Sequence, residues 1–574
     1  MLPIKKEISL IFLDALKPYP VAVTAAEAEA SLQAPKEEKF GDLSTHLVLK
    51  LAKEMKKPPR PLAEALSQEL WQAIQNSPLK ERLEKISVEG PGFLNFYYSL
   101  KEVTSVLSRI KKEGQDFGRP AVTEKRNILL EFVSANPTGP LTVAHGRQAA
   151  LGDSLAQILM FCGHRVTKEY YNNDEGVQIQ TLGKSLDFRV EEKLTSISKE
   201  IPENYYRGDY LLEIAEQLIR EKGIEKIRVL SPEERLKLCM GYAKDDIFKG
   251  IQKDLKDFGV SFDNYYSQEE LGGSGKVEKT LEELKQKGVV YEQEGALWFK
   301  STDFGDDKDR VLIKSDKNYT YLTPDIAYHH EKFKRGFDEI IDILGPDHHG
   351  YIARLKASQA ALGHDPGRVN VLIAQLVTLF EGEKQVRMST RAGEFVTLRQ
   401  ILDEVGKDAG RFFFVMRKFD AHLDFDLALA KSQTPDNPVF YIQYAHARIE
   451  SIKNTAKEKL GSLPDISLEN SSDVKKLLQL SSATEIRLMQ TLSQFEDTVL
   501  AAANTLEPYR LVPYLMDTAS AFHRFYTENR VVTEDADLTL ARTVLIDCVQ
   551  SVLRQGLGLL GVSAPLKMQG SVKQ

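Results

Sequence analysis

The stretch from Asn127 to Arg147, NILLEFVSANPTGPLTVAHGR, constrains the fold more than any other part of the chain. Residues 127–133 form an apolar run of strand length, and Asn136-Pro137-Thr138-Gly139-Pro140 breaks it before a helix that the pattern starts near Gly146. An apolar run of this kind reads as a buried strand of a parallel sheet, which needs helices on both faces. A helix that follows such a turn aims its first backbone amides at an anion, so the segment is laid out as a nucleotide site.

Composition bounds the rest. A chain of 574 residues holds roughly three to five domains of about 100 to 200 residues each. Its net charge of −7 excludes a surface that coats nucleic acid, so any RNA contact must rest on local basic patches. Cys162, Cys239 and Cys548 stand far apart without a CxxC pair. That spacing removes a thiolate zinc site, makes a disulfide framework improbable and fits a reducing cytoplasm. The N-terminal MLPIKKEISLIFLDALKPYP is short and interrupted by charge, and no later run of about 20 apolar residues appears, so neither membrane insertion nor export is expected.

Four blocks follow from shifts in pattern. Residues 1–100 read as a small α/β domain, with helical periodicity over 43–55, a break at Lys56-Lys57-Pro58-Pro59-Arg60-Pro61, and a turn and strand over 90–98. Residues 122–187 alternate strand, helix and strand, as a doubly wound domain requires. The second strand, 165–171, runs into Asn172-Asn173-Asp174-Glu175-Gly176, either a substrate-facing cluster beyond a strand's carboxyl end or an ordinary turn. The charged stretch 191–287 reads as amphipathic helices inserted into that fold. Segments 311–314, 319–322 and 340–344 read as its remaining strands, with polar ends at Thr323-Pro324-Asp325 and Gly345-Pro346-Asp347-His348-His349-Gly350. His348 and His349 suggest a metal, but neighbours in an extended segment point oppositely and no Cys or Glu stands at ligand spacing, so no metal site is expected. From Asp436 onward, segments 474–495, 508–527 and 539–560 carry one apolar face each and predict a helix bundle. The fold class is multidomain α/β plus all-α, divided as 1–105, 120–430 with an insertion at about 188–300, and 436–574.

Four separated motifs carry a family resemblance. SANPTGPL followed by HGR resembles class I aminoacyl-tRNA synthetases, specifically the arginyl-tRNA synthetases. In that family the segment ends His-Val-Gly-His, whereas here it reads Thr142-Val143-Ala144-His145. Lys39-Phe40-Gly41-Asp42 with GPGFLNF resembles the family's N-terminal additional domain. The stretch Val386-Arg387-Met388-Ser389-Thr390-Arg391-Ala392-Gly393 is similar to its Lys-Met-Ser-Lys loop, with Arg387 and Thr390 in place of the lysines. NPVFYIQYAHAR and the ending 561–568 resemble its anticodon-binding domain.

The resemblance implies a Rossmann-like catalytic domain with an insertion, an N-terminal α/β additional domain and a C-terminal helical bundle. It implies activation of L-arginine by magnesium-bound ATP and transfer to the 3′-terminal adenosine of tRNA(Arg), by a cytoplasmic monomer with no structural zinc. A weakened paralogue that only binds RNA is the alternative, motivated by the missing motif histidine and lysines. A small-molecule adenylyltransferase is disfavoured, because it leaves the outer domains unemployed.

A guanidinium is planar, permanently charged and rich in donors, so its pocket should offer carboxylates and neutral acceptors. The resemblance places Tyr321 and Asp325 at the guanidinium, Glu131, Ser134 and Asn136 along the amino-acid site, and Asp347 beside them. It assigns Pro137, Gly139, Thr142, Ala144, His145, Gly146, Met388 and Ser389 to ATP, and catalytic roles to His145, Thr142, Arg387, Ser389 and Arg391, with Lys384 as a further cation. Lys39, Lys56, Lys57 and Arg60 become phosphate contacts, while Tyr441, Tyr444, Arg448 and His446 offer stacking faces and cations to tRNA. Tyrosines spaced like these are equally at home half-buried in a core. Thr142 and Ala144 should slow activation about 10- to 100-fold if about 1.4 to 2.7 kcal/mol of transition-state stabilisation is missing.

Overall fold

The computed structural model describes residues 4–19, 22–35, 37–122, 124–386, 396–461 and 471–568. Its centre is a five-stranded sheet in the order Val369–Ile373, Glu339–Leu344, Asn127–Glu131, Arg165–Asn172 and Asn264–Ser267, with every neighbouring pair parallel. Alternation along each strand separates two faces. Ile128, Leu130, Ile341 and Ile343 pack in one core with Leu151, Leu155 and Ala156 of the helix Val143–Phe161, hereafter the motif helix. Glu131 and Asp342 point the other way, where the helix Leu322–Lys334 supplies Lys332.

Ahead of this domain, four helices cover an antiparallel sheet of Leu43–Thr45, Phe93–Tyr98 and Leu83–Glu89, around a core that includes Phe12, Leu66, Leu70 and Phe96. The helix Leu100–Glu113 leads into the domain of the five-stranded sheet. Beyond it stand the long helices Pro438–Leu460, Leu511–Glu528 and Ala536–Leu559, with Ala483–Ser493 and Phe495–Thr505 completing a bundle. Asn437 caps the first of them by accepting from the Val439 and Phe440 amides, which explains the abrupt helix start after Asp436. Cys162, Cys239 and Cys548 are buried free thiols. Among the described residues no helix is long and apolar enough to cross a membrane.

The structure corrects several expectations. The motif helix starts at Val143 rather than near Gly146, because Thr142 is its N-cap and the His145 side chain closes the first turn on the Thr142 amide. The strand before it stops at Glu131, since Val133 and Ser134 turn into the left-handed region at φ 69° and 39°. The stretch taken as an insertion contains the sheet's edge strand, Asn264–Ser267, whose half-exposed NYYS lacks the apolar signature of an inner strand. Residues 311–314 yield the strand Arg310–Ile313, but it belongs to a separate antiparallel sheet with Val290–Gln293 and Ala296–Phe299. Residues 319–322 form no strand beyond a single bridge from Tyr319 to Ile313. The helix Leu322–Lys334 takes in Thr323-Pro324-Asp325 as its first turn, where proline fits because those amides have no helical partner. Residues 43–45 are strand, with the helix confined to Leu47–Met55.

Candidate active site

At the N-terminus of the motif helix the Thr142 amide donates to His145 Nδ1 at 3.1 Å, and Thr142 Oγ1 lies 3.1 Å from the same nitrogen. An accepting Nδ1 leaves the proton on Nε2, so the ring presents an N–H donor at the helix start. Burial lowers the His145 pKa from 6.5 to about 4, which makes this a neutral donor at physiological pH. Ala144 is half-buried beside it. Gly146, expected at ATP, packs tightly: its amide bonds Thr142 O, and a Cβ there would sit 2.9 Å from Leu398 and 3.1 Å from Phe414. The turn that holds Pro137 and Gly139 is tied by Thr138 N to Asn136 O at 2.7 Å and by the Tyr210 hydroxyl, which donates to Thr138 O at 2.6 Å.

Arg387, Met388, Ser389 and Arg391 lie outside the described residues, but both flanks of their loop are fixed. The short strand Lys384–Gln385 pairs with Val377–Glu381 on one side, and Lys384 is exposed there. On the other side Val143 N bonds Val396 O at 3.1 Å and Leu398 N bonds Leu141 O at 2.8 Å. The segment that follows the second motif is thus joined backbone to backbone to the start of the motif helix. Arg147 braces the same region, donating to Gln375 O, Lys418 O and Ala421 O at 2.8 Å each and to Leu376 O at 3.4 Å. Burial lowers its pKa to about 10 despite Asp420 nearby.

The second half of the site is ionic. Strand register places Asp342, Glu131, Glu169 and Asn264 in one row across four strands. Lys332 Nζ lies 2.6 Å from Glu131 Oε2 and 2.7 Å from Asp342 Oδ1. Ser134 Oγ donates to Glu131 Oε1 at 2.8 Å and accepts from Tyr171 N at 3.0 Å, which is what the left-handed turn at Ser134 achieves. Arg335 forks onto Glu169 at 2.6 and 2.8 Å, and the Tyr328 hydroxyl donates to it at 2.6 Å. His329 spans Asp342 Oδ2 at 2.9 Å and Asp325 O at 2.8 Å. Burial pushes Asp342 up, but Lys332 and His329 outweigh it and hold the carboxyl well below the usual range. Asp325 accepts from the Tyr351 hydroxyl, yet burial outweighs that bond and raises its pKa. With Asp325, Glu131 and Asp342 set against Lys332, this side of the sheet carries excess negative charge, which suits a cationic ligand.

Tyr321 is not brought to Asp325: it stands at the helix start, 83% exposed, and Tyr351 donates to the carboxylate. Asn136 turns to Gln178 Oε1 at 2.6 Å, and Asp347 stands exposed on the short turn Pro346–Tyr351. In the cluster after the second strand, Asp174 accepts from Ser267 Oγ at 2.8 Å and Glu269 N at 3.0 Å, a capping role. The side chains of His348 and His349 lie outside the described residues. Sequence reasoning missed Lys332, Tyr351, Arg147 and Tyr210. The i, i+4, i+7 spacing of Asp325, His329 and Lys332 was the available signal, since it puts all three on one helix face.

In the outer domains, Lys39 pairs with Glu37 at 2.7 Å, and Arg60 bonds Glu64 at 3.1 Å and Gly90 O at 3.2 Å. Lys56 and Lys57 are exposed. Half-buried Tyr441 and Tyr444 flank His523, with ring centroids 4.7 and 5.9 Å away, and Arg448 donates to the Tyr526 hydroxyl at 2.9 Å. His446 is a core residue and not an RNA contact: it is fully buried, with Nδ1 2.9 Å from Pro565 O.

Comparison with known proteins gives a consistent result. The chain matches the arginyl tRNA synthetase N terminal domain over residues 4–98, the catalytic domain of tRNA synthetases class I (R) over 102–418, and the DALR anticodon binding domain over 442–568. It is 45% identical over 541 residues to an arginine–tRNA ligase of Desulforamulus reducens, covering 94% of each chain. An arginine–tRNA ligase of Geobacillus kaustophilus is likewise 45% identical over 541 residues, 94% of each. The solved arginyl-tRNA synthetase of Thermus thermophilus shares the fold at a TM-score of 0.73 and 22% identity, over 99% of this chain and 100% of that one. With domain matches of this extent and 45% identity over nearly the whole length, the chain belongs to the arginine–tRNA ligases, the arginyl members of the class I aminoacyl-tRNA synthetases.

Proposed function

We propose that arginine lies at the carboxyl ends of the parallel strands with its guanidinium toward Asp325, and that ATP lies against the motif helix with a phosphate oxygen on His145 Nε2. The overall reaction is that of the family, ATP-dependent ligation of arginine to tRNA. The arginine carboxylate attacks the α-phosphate of magnesium-bound ATP, pyrophosphate leaves, and a ribose hydroxyl of the 3′-terminal adenosine of tRNA(Arg) then displaces AMP from the arginyl adenylate. No covalent enzyme intermediate is needed, so the protein contributes positioning and charge stabilisation. His145 supplies a neutral donor, the helix N-terminus adds its dipole, and Arg387, Ser389 and Arg391 are the loop groups proposed to meet the departing pyrophosphate. Lys39, Arg60, Tyr441, Tyr444 and Arg448 are proposed tRNA contacts. The reading takes the enzyme as a cytoplasmic monomer without structural zinc.

The observation that carries the amino-acid assignment is the half-buried Asp325, held by Tyr351 on the helix face whose Lys332 meets Glu131 and Asp342. A site built on such acceptors strands them when a neutral analogue binds, which supports discrimination without an editing domain. Asp325→Asn is the test. Steady-state charging of tRNA with labelled arginine should lose about 100-fold or more in kcat/KM for arginine, with the KM for ATP unchanged. An unaltered arginine KM would remove Asp325 from the pocket.

A further inference from the structure

Lys332 is a cation in a pocket whose task is to receive one. It is 0% exposed, its Nζ lies between Glu131 and Asp342, and it stands 4.3 Å from the Tyr328 ring centroid. Glu131 and Asp342 are register partners on adjacent strands, so their carboxylates stand side by side. Two carboxylates so placed repel one another unless a cation stands between them, and a substrate made of donors needs their oxygens held in place as acceptors. Stability does not explain the ammonium either, because replacing a buried ion triad by well-packed apolar residues is often neutral or stabilising.

We infer that Lys332 is a positioning residue of the arginine pocket: it fixes the Glu131 carboxylate at the end of the strand, without touching substrate. The inference rests on the reading of this pocket as the arginine site. Its geometry is specific. The ammonium spends its donors on Glu131 and Asp342, with His329 Nε2 3.5 Å away, while the other Glu131 oxygen is taken by Ser134 Oγ. Helix, sheet and the turn at Ser134 are thereby joined through one carboxylate. The charged and titratable groups facing Lys332 are Glu131 and Asp342 from their strands, Glu169 from the next strand with its partner Arg335, and Tyr328, His329 and Asp325 on its own helix.

The test uses the full-length enzyme with tRNA present and follows initial rates of arginine charging. Lys332→Met removes the charge and keeps an unbranched side chain. The KM for arginine should rise roughly tenfold or more while the KM for ATP holds. The defect should shrink between about pH 6.5 and about pH 8.5, because carboxylates raised by loss of the ammonium ionise again as pH increases. The ratio to wild type cancels titration of arginine itself. Asp342→Asn added to Lys332→Met removes the surplus carboxylate, and should restore the arginine KM toward wild type even if the single variant folds poorly. A pH-independent loss that affects ATP and arginine alike, or no rescue in the double variant, overturns the inference. If Asp325→Asn raises the arginine KM and Lys332→Met does not, the pocket reading stands and this inference fails; if Asp325→Asn has no effect, the pocket reading itself fails.

Discussion

The two faces of the central sheet are built on opposite principles. Toward the motif helix, Ile128, Leu130, Ile341 and Ile343 meet Leu151, Leu155 and Ala156 in a continuous apolar core. On the opposite face, next to the buried Leu129 and Ile340, Glu131 and Asp342 of these strands and Glu169 of the neighbouring strand meet Lys332, Arg335 and His329, all fully or largely buried except the half-buried Arg335. An apolar face gains free energy in proportion to the area it buries. An ionic face loses about as much in desolvation as it regains in pairing. The contrast separates the two tasks: the apolar face holds the sheet and seats the motif helix, while the ionic face holds a charge pattern at the strand ends.

The sharpest break of this contrast is to make both faces apolar. The triple variant Glu131→Met, Lys332→Met, Asp342→Leu should remain folded, with stability unchanged or raised by up to about 4 kcal/mol in thermal melts, yet charge no detectable arginine. Loss of folding would mean that the ion triad is structural. The reciprocal change is Ile128→Ala on the apolar face, far along the strand from Glu131. It should lower stability by about 2 to 5 kcal/mol through the cavity it leaves, with the arginine KM of the folded enzyme unchanged; circular dichroism melts and initial rates report the two quantities separately. Smaller is the effect expected of Thr142→His, which restores the family's usual residue. If the hydroxyl under-supplies the phosphates, charging should speed up by about tenfold, equivalent to about 1.4 kcal/mol. An unchanged or slower rate in the same assay would show that Thr142 serves better as the cap that orients His145.

The apolar face was legible in the sequence; of the ionic face only Glu131, Ser134 and Asp325 were, through the family resemblance, and their cationic partners were not. The run at 127–131 and the turn at 136–140 announced a covered parallel strand and a nucleotide-type helix start, because hydrophobic runs and Pro/Gly punctuation are local signals. The bundle helices were readable for the same reason. Lys332 is a different case: a lysine in a helix reads as solvent-facing until its partners on two other strands are known, and those partners are about 200 residues and 10 residues away in sequence. Tyr351 replaced Tyr321 beside Asp325 because the segment at 319–322 is a helix entry rather than a strand, which swings Tyr321 into solvent. The edge strand Asn264–Ser267 hid among charged helices because an edge needs little apolar content.

The central claim, that arginine is recognised on the ionic face alone, is tested most directly by the KM for arginine in tRNA charging, measured side by side for Ile128→Ala and Asp325→Asn. The account predicts a wild-type value for the first and a large rise for the second. An equal shift in both, or a shift in Ile128→Ala alone, would contradict it.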